Sequence, residues 1–99
     1  MRLALALAAL VVASPVEAAE RMTCDNGVTR YVARFDPVAR RFFYDDQEYR
    51  VLAVESSTGS LVVSGLTLGN GPTFQAFFGN APRVLYFEKS KLFETDRCR

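Results

Sequence analysis

The chain has 99 residues, with 12 Lys and Arg against 11 Asp and Glu and a formal net charge of +1. That length allows one domain, and a near-neutral chain without a basic stripe is not built to track a phosphate backbone, so nucleic acid is not an expected partner. The sequence contains no His, which removes the commonest general base and with it the Ser–His–Asp and Cys–His arrangements of nucleophilic catalysis.

The apolar residues are unevenly spread. Fourteen of the first 18 residues are apolar, whereas all eight Phe and all four Tyr come after them. Met1-Arg2 makes a positive start, Leu3 to Val12 contains only Leu, Ala and Val, and Ala13 to Ala19 holds small residues around Pro15. This three-part layout is that of a secretory signal peptide over residues 1–18. Cleavage is expected after Ala18, with Val16 and Ala18 in the small-residue positions, or else after Ala19. The apolar run falls short of the roughly 20 residues that cross a bilayer as a helix. The alternative, a helix packed on the domain, is disfavoured because Leu3–Val12 has no polar face for water. No Cys stands at the cleavage point, so no lipid anchor is expected. The mature chain, residues 19–99, is expected to be periplasmic or secreted.

Export gives the cysteines a role. Cys24 and Cys98 are the only two, and in an oxidising compartment they admit one intramolecular pairing. Closing a loop of this size removes roughly 4–4.5 kcal/mol of loop-closure entropy from the unfolded chain, which matters for a domain with so small a core. Two Cys without His do not make a usual zinc site, and a nucleophilic thiol would lack its imidazole. No metal and no cofactor are expected.

Turn signals then recur at short intervals: Asn26-Gly27, Asp36-Pro37, Asp45-Asp46, Ser57-Thr58-Gly59, Gly69-Asn70-Gly71-Pro72, Gly79-Asn80-Ala81-Pro82 and Lys89-Ser90. Between them lie seven strand-like runs: 28–35, 40–44, 48–55, 60–68, 73–78, 83–88 and 91–95. In the first, Thr29, Tyr31, Ala33 and Phe35 make the better core face. In the third the alternation is imperfect, and in the fourth Gly65 marks a bulge or bend. Short loops between successive strands imply antiparallel pairing. The pattern predicts a small all-β sandwich or barrel.

Catalytic chemistry is sparse. Gly69-Asn70-Gly71-Pro72 reads as a turn, not a phosphate loop, because its Pro lacks an amide proton. A glycosidase-type carboxylate pair would have to come from Asp45, Asp46, Glu48 and Glu55, of which Asp45 and Asp46 suit a turn. The residues point to a non-enzymatic binding domain.

Two stretches carry a family resemblance. The mature chain opens with Cys24-Asp25-Asn26-Gly27 and a strand, later runs Tyr49-Arg50-Val51-Leu52-Ala53-Val54-Glu55-Ser56-Ser57-Thr58-Gly59, and ends in a strand pair and Cys98. It resembles the periplasmic and membrane-bound inhibitors of c-type lysozyme in bacteria, over about residues 22–98. The resemblance implies a small antiparallel β-barrel and, as partner, a c-type lysozyme whose cleft is entered by two loops. Ser56, Ser57, Thr58 and Gly59 match the first loop, with Thr58 in place of its second Ser. Phe77-Phe78-Gly79 resembles the second motif, which in the family has a Lys just before the Gly; here that position is Phe78. A Tyr that often follows the Ser loop is also replaced, with Leu61 near its place. Arg83 is the nearest candidate to replace the Lys. In terms of the residues alone, Ser56 to Gly59 also suits an ordinary hairpin turn, and a binding module for another envelope ligand or a structural envelope component stands as the alternative.

One expectation is directly measurable. After periplasmic expression the intact mass should correspond to a chain beginning at Ala19 or Glu20 and lacking two hydrogens. A retained leader, or two titratable thiols in the native protein, would overturn it.

Overall fold

The computed structural model describes residues 20–69 and 71–99; the expected signal peptide, residues 1–18, lies outside them. The described residues form eight strands: β1 (Glu20–Asp25), β2 (Arg30–Asp36), β3 (Arg41–Tyr44), β4 (Gln47–Ser57), β5 (Ser60–Leu66), β6 (Thr73–Gly79), β7 (Arg83–Glu88) and β8 (Lys91–Cys98). Each pairs antiparallel with the next, and β8 returns to β1, so the sheet closes into a barrel.

The strand count differs from the sequence reading by one. The addition is β1, where Met22 and Cys24 face inward and the outward positions are charged or polar. With only two apolar residues, its alternation is too short to stand out. It is nevertheless the strand that closes the barrel: Cys24 lies opposite Cys98 and Asp25 opposite Arg97, and the Thr23 and Arg99 backbones exchange two hydrogen bonds of 2.9 Å. Cys24 and Cys98 are disulfide-bonded, 74 residues apart in sequence, with a Cα–Cα separation of 4.0 Å. They occupy a non-hydrogen-bonded position next to the Thr23–Arg99 pair, where antiparallel strands come closest.

The imperfect alternation of β4 has a local cause. Val51 pairs with Gly65 and Ala53 with Ser64, leaving Leu52 as an unpaired extra residue. Such a bulge shifts the phase of everything beyond it. Tyr49 and Val51 therefore pack inward before it, and Val54 does so after it. Gly65 sits across from the bulge, not in one, and a Cβ there would lie 1.9 Å from the Arg50 carbonyl oxygen and 3.0 Å from the Phe74 ring. β8 carries a second bulge, with Phe93 left over between the Tyr86–Glu94 and Phe87–Leu92 pairs.

An eight-stranded barrel has an interior just wide enough to be filled by side chains. Phe35, Phe42, Phe74 and Phe78 supply the bulk, while Ala33, Ala76 and Val63 sit between them, all buried. Phe42 stacks on Phe74 at 4.6 Å between centroids and meets Phe78 edge-on at 6.4 Å. Tyr31, Ala33 and Phe35 are the buried face of β2, as their alternation predicts.

The up-and-down order sorts the connections between two ends. The β2–β3, β4–β5 and β6–β7 turns share one, here called the hairpin end, and the other four connections surround the opposite mouth. At the mouth, Asn26 closes the β1–β2 turn by accepting from the Val28 and Thr29 amides at 2.9 and 2.8 Å, with Gly27 at φ 90°.

The closure yields a prediction. A Cys24→Ser, Cys98→Ser double variant should lose about 2–5 kcal/mol of unfolding free energy, read from urea denaturation monitored by circular dichroism. An unchanged midpoint would show that the β1–β8 ladder closes the barrel without its covalent bond.

Candidate functional site

The hairpin end gathers the two segments singled out in the sequence. Ser57 pairs with Ser60, so only Thr58 and Gly59 form the turn. Ser56 and Ser57 are strand residues of β4, which shortens the expected loop at its leading edge. All four residues from Ser56 to Gly59 are exposed, and among the described residues none of their hydroxyls is held by an internal hydrogen bond. Gly59 takes φ 74°, a backbone that favours glycine.

The second segment lies directly against the first. Ser60 pairs with Gly79, and Gly79 adopts φ 105°. A Cβ on Gly79 would come within 2.3 Å of the Gly59 carbonyl oxygen, and the Asn80 amide donates to that same oxygen at 3.4 Å. Two turns separated by about twenty residues of sequence thus meet backbone to backbone, with no side chain between them.

The other residues of the second motif are placed differently from the expectation. Phe78 points into the barrel and is 3% exposed, packed against Phe42; it contributes core, not contact surface. Phe74 is likewise interior. Both follow from the alternation Phe74, Ala76, Phe78 along β6. Arg83 opens β7, paired with Phe77 and therefore on the outer wall just inside the rim. Its guanidinium lies 3.9 Å from the Phe77 ring centroid and donates to the Ala81 carbonyl at 2.8 Å. The ion pairs among the described residues are Arg30–Asp25 and Arg41–Glu48, so Arg83 carries an unneutralised charge beside the β6–β7 turn.

Two of the four carboxylates weighed for hydrolysis, Glu48 and Asp45, are engaged elsewhere. Glu48 accepts from Arg41 Nε at 2.9 Å and Nη2 at 2.8 Å, and Asp45 accepts from the Val32 amide at 2.8 Å.

Compared with family models, curated proteins and solved structures, the chain matches none.

The opposite mouth holds a polar cluster that the sequence reading passed over. Asp96 is 1% exposed. Tyr31 Oη donates to Asp96 Oδ2 at 2.5 Å and lies 3.1 Å from Tyr86 Oη; since Tyr31 has one proton and spends it on Asp96, Tyr86 is the donor in the second bond. Among the described residues Asp96 Oδ1 has no partner. Burial, and then the neighbouring Glu94 carboxyl, push the Asp96 carboxyl up to about 7 against the lowering effect of the Tyr31 bond. Burial also raises Tyr31 and Tyr86 well above the ordinary phenol range and pushes Tyr49 up to about 12. A signal for this cluster did exist: a disulfide fixes Cys98 as inward, and period-two alternation then turns Asp96 and Glu94 to the same side.

The sign of the pH effect follows from linkage. Folded Asp96 holds its proton more tightly than the unfolded chain, whose value is near 3.8. Its contribution to stability is therefore fully present below about pH 4 and lost as pH rises through about 7. Urea midpoints measured across that window should fall for the wild type relative to Asp96→Asn, and the variant should be at least as stable as the wild type at the alkaline end. Parallel curves for the two proteins would overturn the assignment.

Proposed function

We propose that the protein is an exported, non-catalytic inhibitor of c-type lysozyme that occludes the enzyme's cleft with its hairpin end. The observation that carries this reading is the direct contact of the Thr58–Gly59 turn with the Gly79–Asn80 turn, which makes one exposed, backbone-braced edge from the two segments that resemble the family's binding loops. Export is supported by the leader pattern of residues 1–18 and by the Cys24–Cys98 bond.

The chemistry is that of charge-assisted hydrogen bonding. A retaining glycosidase cleft presents two carboxyl groups, one of them ionised. The Ser56 and Thr58 hydroxyls, free of internal partners, donate to the ionised group more strongly than to a neutral acceptor. Bracing the turns against each other lowers the entropy lost on insertion, because the edge is already in its bound shape. Arg83 supplies the positive charge that the family takes from a Lys before the glycine. Held by Ala81 and Phe77 on the outer wall, it approaches a carboxylate from the side of the β6–β7 turn.

The alternative reading, a binding or structural module of the cell envelope with another ligand, is favoured by one observation: Phe78 stands where the family has its Lys and is buried.

A turbidity assay of c-type lysozyme with the purified mature protein separates the two. The inhibitor reading requires stoichiometric loss of lytic activity. By calorimetry the Ser56→Ala, Thr58→Ala double variant should bind about 1–3 kcal/mol more weakly with an unchanged circular dichroism spectrum. Wild-type affinity in the double variant would reduce the hairpin to a turn, and no binding by the wild type would favour the envelope module.

A further inference from the structure

We propose that the barrel mouth opposite the hairpin end is a binding site for a small aliphatic ammonium compound, with Asp96 and Glu94 receiving its N–H groups and tyrosine rings forming its walls. The mouth opens on a cavity of about 360 Å³ whose lining includes Tyr44, Tyr49, Tyr86, Glu94, Asp96 and Asn26. That volume lies within the range of small-molecule sites.

Three features define the ligand's chemistry. The first is charge. Among the described residues the lining contains two carboxyl groups and no Lys or Arg, so the cavity favours a cation. The second is an unmet acceptor. Asp96 is almost wholly buried and its Oδ2 is engaged by Tyr31, but among the described residues Oδ1 has no partner; a buried acceptor left unpaired carries its full desolvation penalty. In acid the proton on Asp96, facing the Glu94 carboxyl, meets that need, and a ligand N–H meets it once Asp96 ionises. The third is the wall material. Tyr44, Tyr49 and Tyr86 present aromatic surface, and the electron-rich faces of such rings attract ammonium groups. A metal ion fits less well: among the described residues no three carboxylate, Cys or His side chains cluster closely enough to hold one, and the cavity has room for about a dozen waters.

A primary ammonium fits better than a quaternary one. Its three N–H donors answer the acceptors of Asp96, Glu94 and a further lining oxygen, whereas a trimethylammonium head offers the rings a charge but Asp96 no hydrogen. The charged and titratable groups facing Asp96 are Glu94 on its own strand, Tyr31 from β2, Tyr44 from β3, Tyr49 from β4 and Tyr86 from β7, with the exposed Asp25 of β1 adding its negative charge from the outer face. None of them supplies a positive charge, so a proton and an ammonium ligand compete for the same place.

The test is a titration of the full-length mature protein with putrescine, followed by tyrosine fluorescence and by the amide resonances of residues around the mouth. Saturable binding is expected at about pH 8 and weaker binding at about pH 5.5, where a proton holds the Asp96 carboxyl. Choline should bind more weakly than putrescine at the same pH. Glu94→Gln and Asp96→Asn should each weaken putrescine binding by about tenfold or more. Glu94→Gln keeps the test independent of folding, because Glu94 is at the rim and only half-buried. No saturation in the wild type, equal affinity in Glu94→Gln, or choline binding as tightly as putrescine would each overturn the proposal. Lysozyme inhibition belongs to the other end of the barrel and should be the same in Glu94→Gln, so the two readings fail separately.

Discussion

A closed barrel is only as secure as its shortest ladder. Here that ladder is β1 against β8, with two residue pairs in register and a hydrogen-bonded contact between Thr23 and Arg99. The neighbouring β7–β8 and β1–β2 ladders hold six pairs each. The seam is reinforced from both sides of the same layer. The disulfide ties β1 to β8, and the bond from Tyr31 to Asp96 ties β2 to β8 across the seam, with Tyr86 of β7 completing the chain of hydroxyls. Tyr31 lies opposite Cys24 in the β1–β2 register, so the covalent and the hydrogen-bonded ties brace adjacent positions. A small domain that buries little apolar surface gains most from restraints of this kind.

Closure also explains why a carboxylate is tolerated inside. Facing inward from β8, Asp96 would be costly as an isolated charge. Tyr31 satisfies one oxygen and burial favours the protonated form, so the group costs least where it holds a proton. The other oxygen has no partner among the described residues. The interior between the two ends is filled by stacked Phe rings with Ala, Val and Gly spacers. Each end can therefore carry its own chemistry, because the packed middle holds the wall shape that both share.

Much of this architecture is readable from residue order. Alternation on β2 and β6 identifies the inner face at Tyr31, Ala33, Phe35 and at Phe74, Ala76, Phe78, and the turn dipeptides mark the connections. Phe78 in particular follows from β6 alternation, although motif spacing aligned it with a contact residue. The limits have physical causes. β1 buries only Met22 and Cys24, too little for a periodic signal. Asp96 reads as a polar surface residue unless Cys98 is used to set the phase of its strand. The contact between Gly59 and Gly79 depends on β5 and β6 pairing in one particular register, which no local pattern encodes. The leader expected over residues 1–18 lies outside the described residues.

The unpaired Leu52 has a consequence for how this barrel can change. Beyond it, β4 has exchanged its two faces: were the same residues to run as a regular strand with no bulge, Ala53 and Glu55 would turn toward the core and Val54 toward water. The bulge works as a phase adjuster, matching the register that Tyr49 requires at the mouth to the one that Val54 requires near the hairpin. Loss of Leu52 itself would leave a regular ladder with Val54 still inward, whereas loss of one residue beyond a retained bulge would turn each distal residue of β4, Ser56 and Ser57 included, to the opposite face. Paired changes of two residues would preserve the faces and alter only reach. The length of the projecting hairpin is thus free to vary in even steps, and Gly65, which makes room for the Arg50 carbonyl, anchors the point from which those steps are counted.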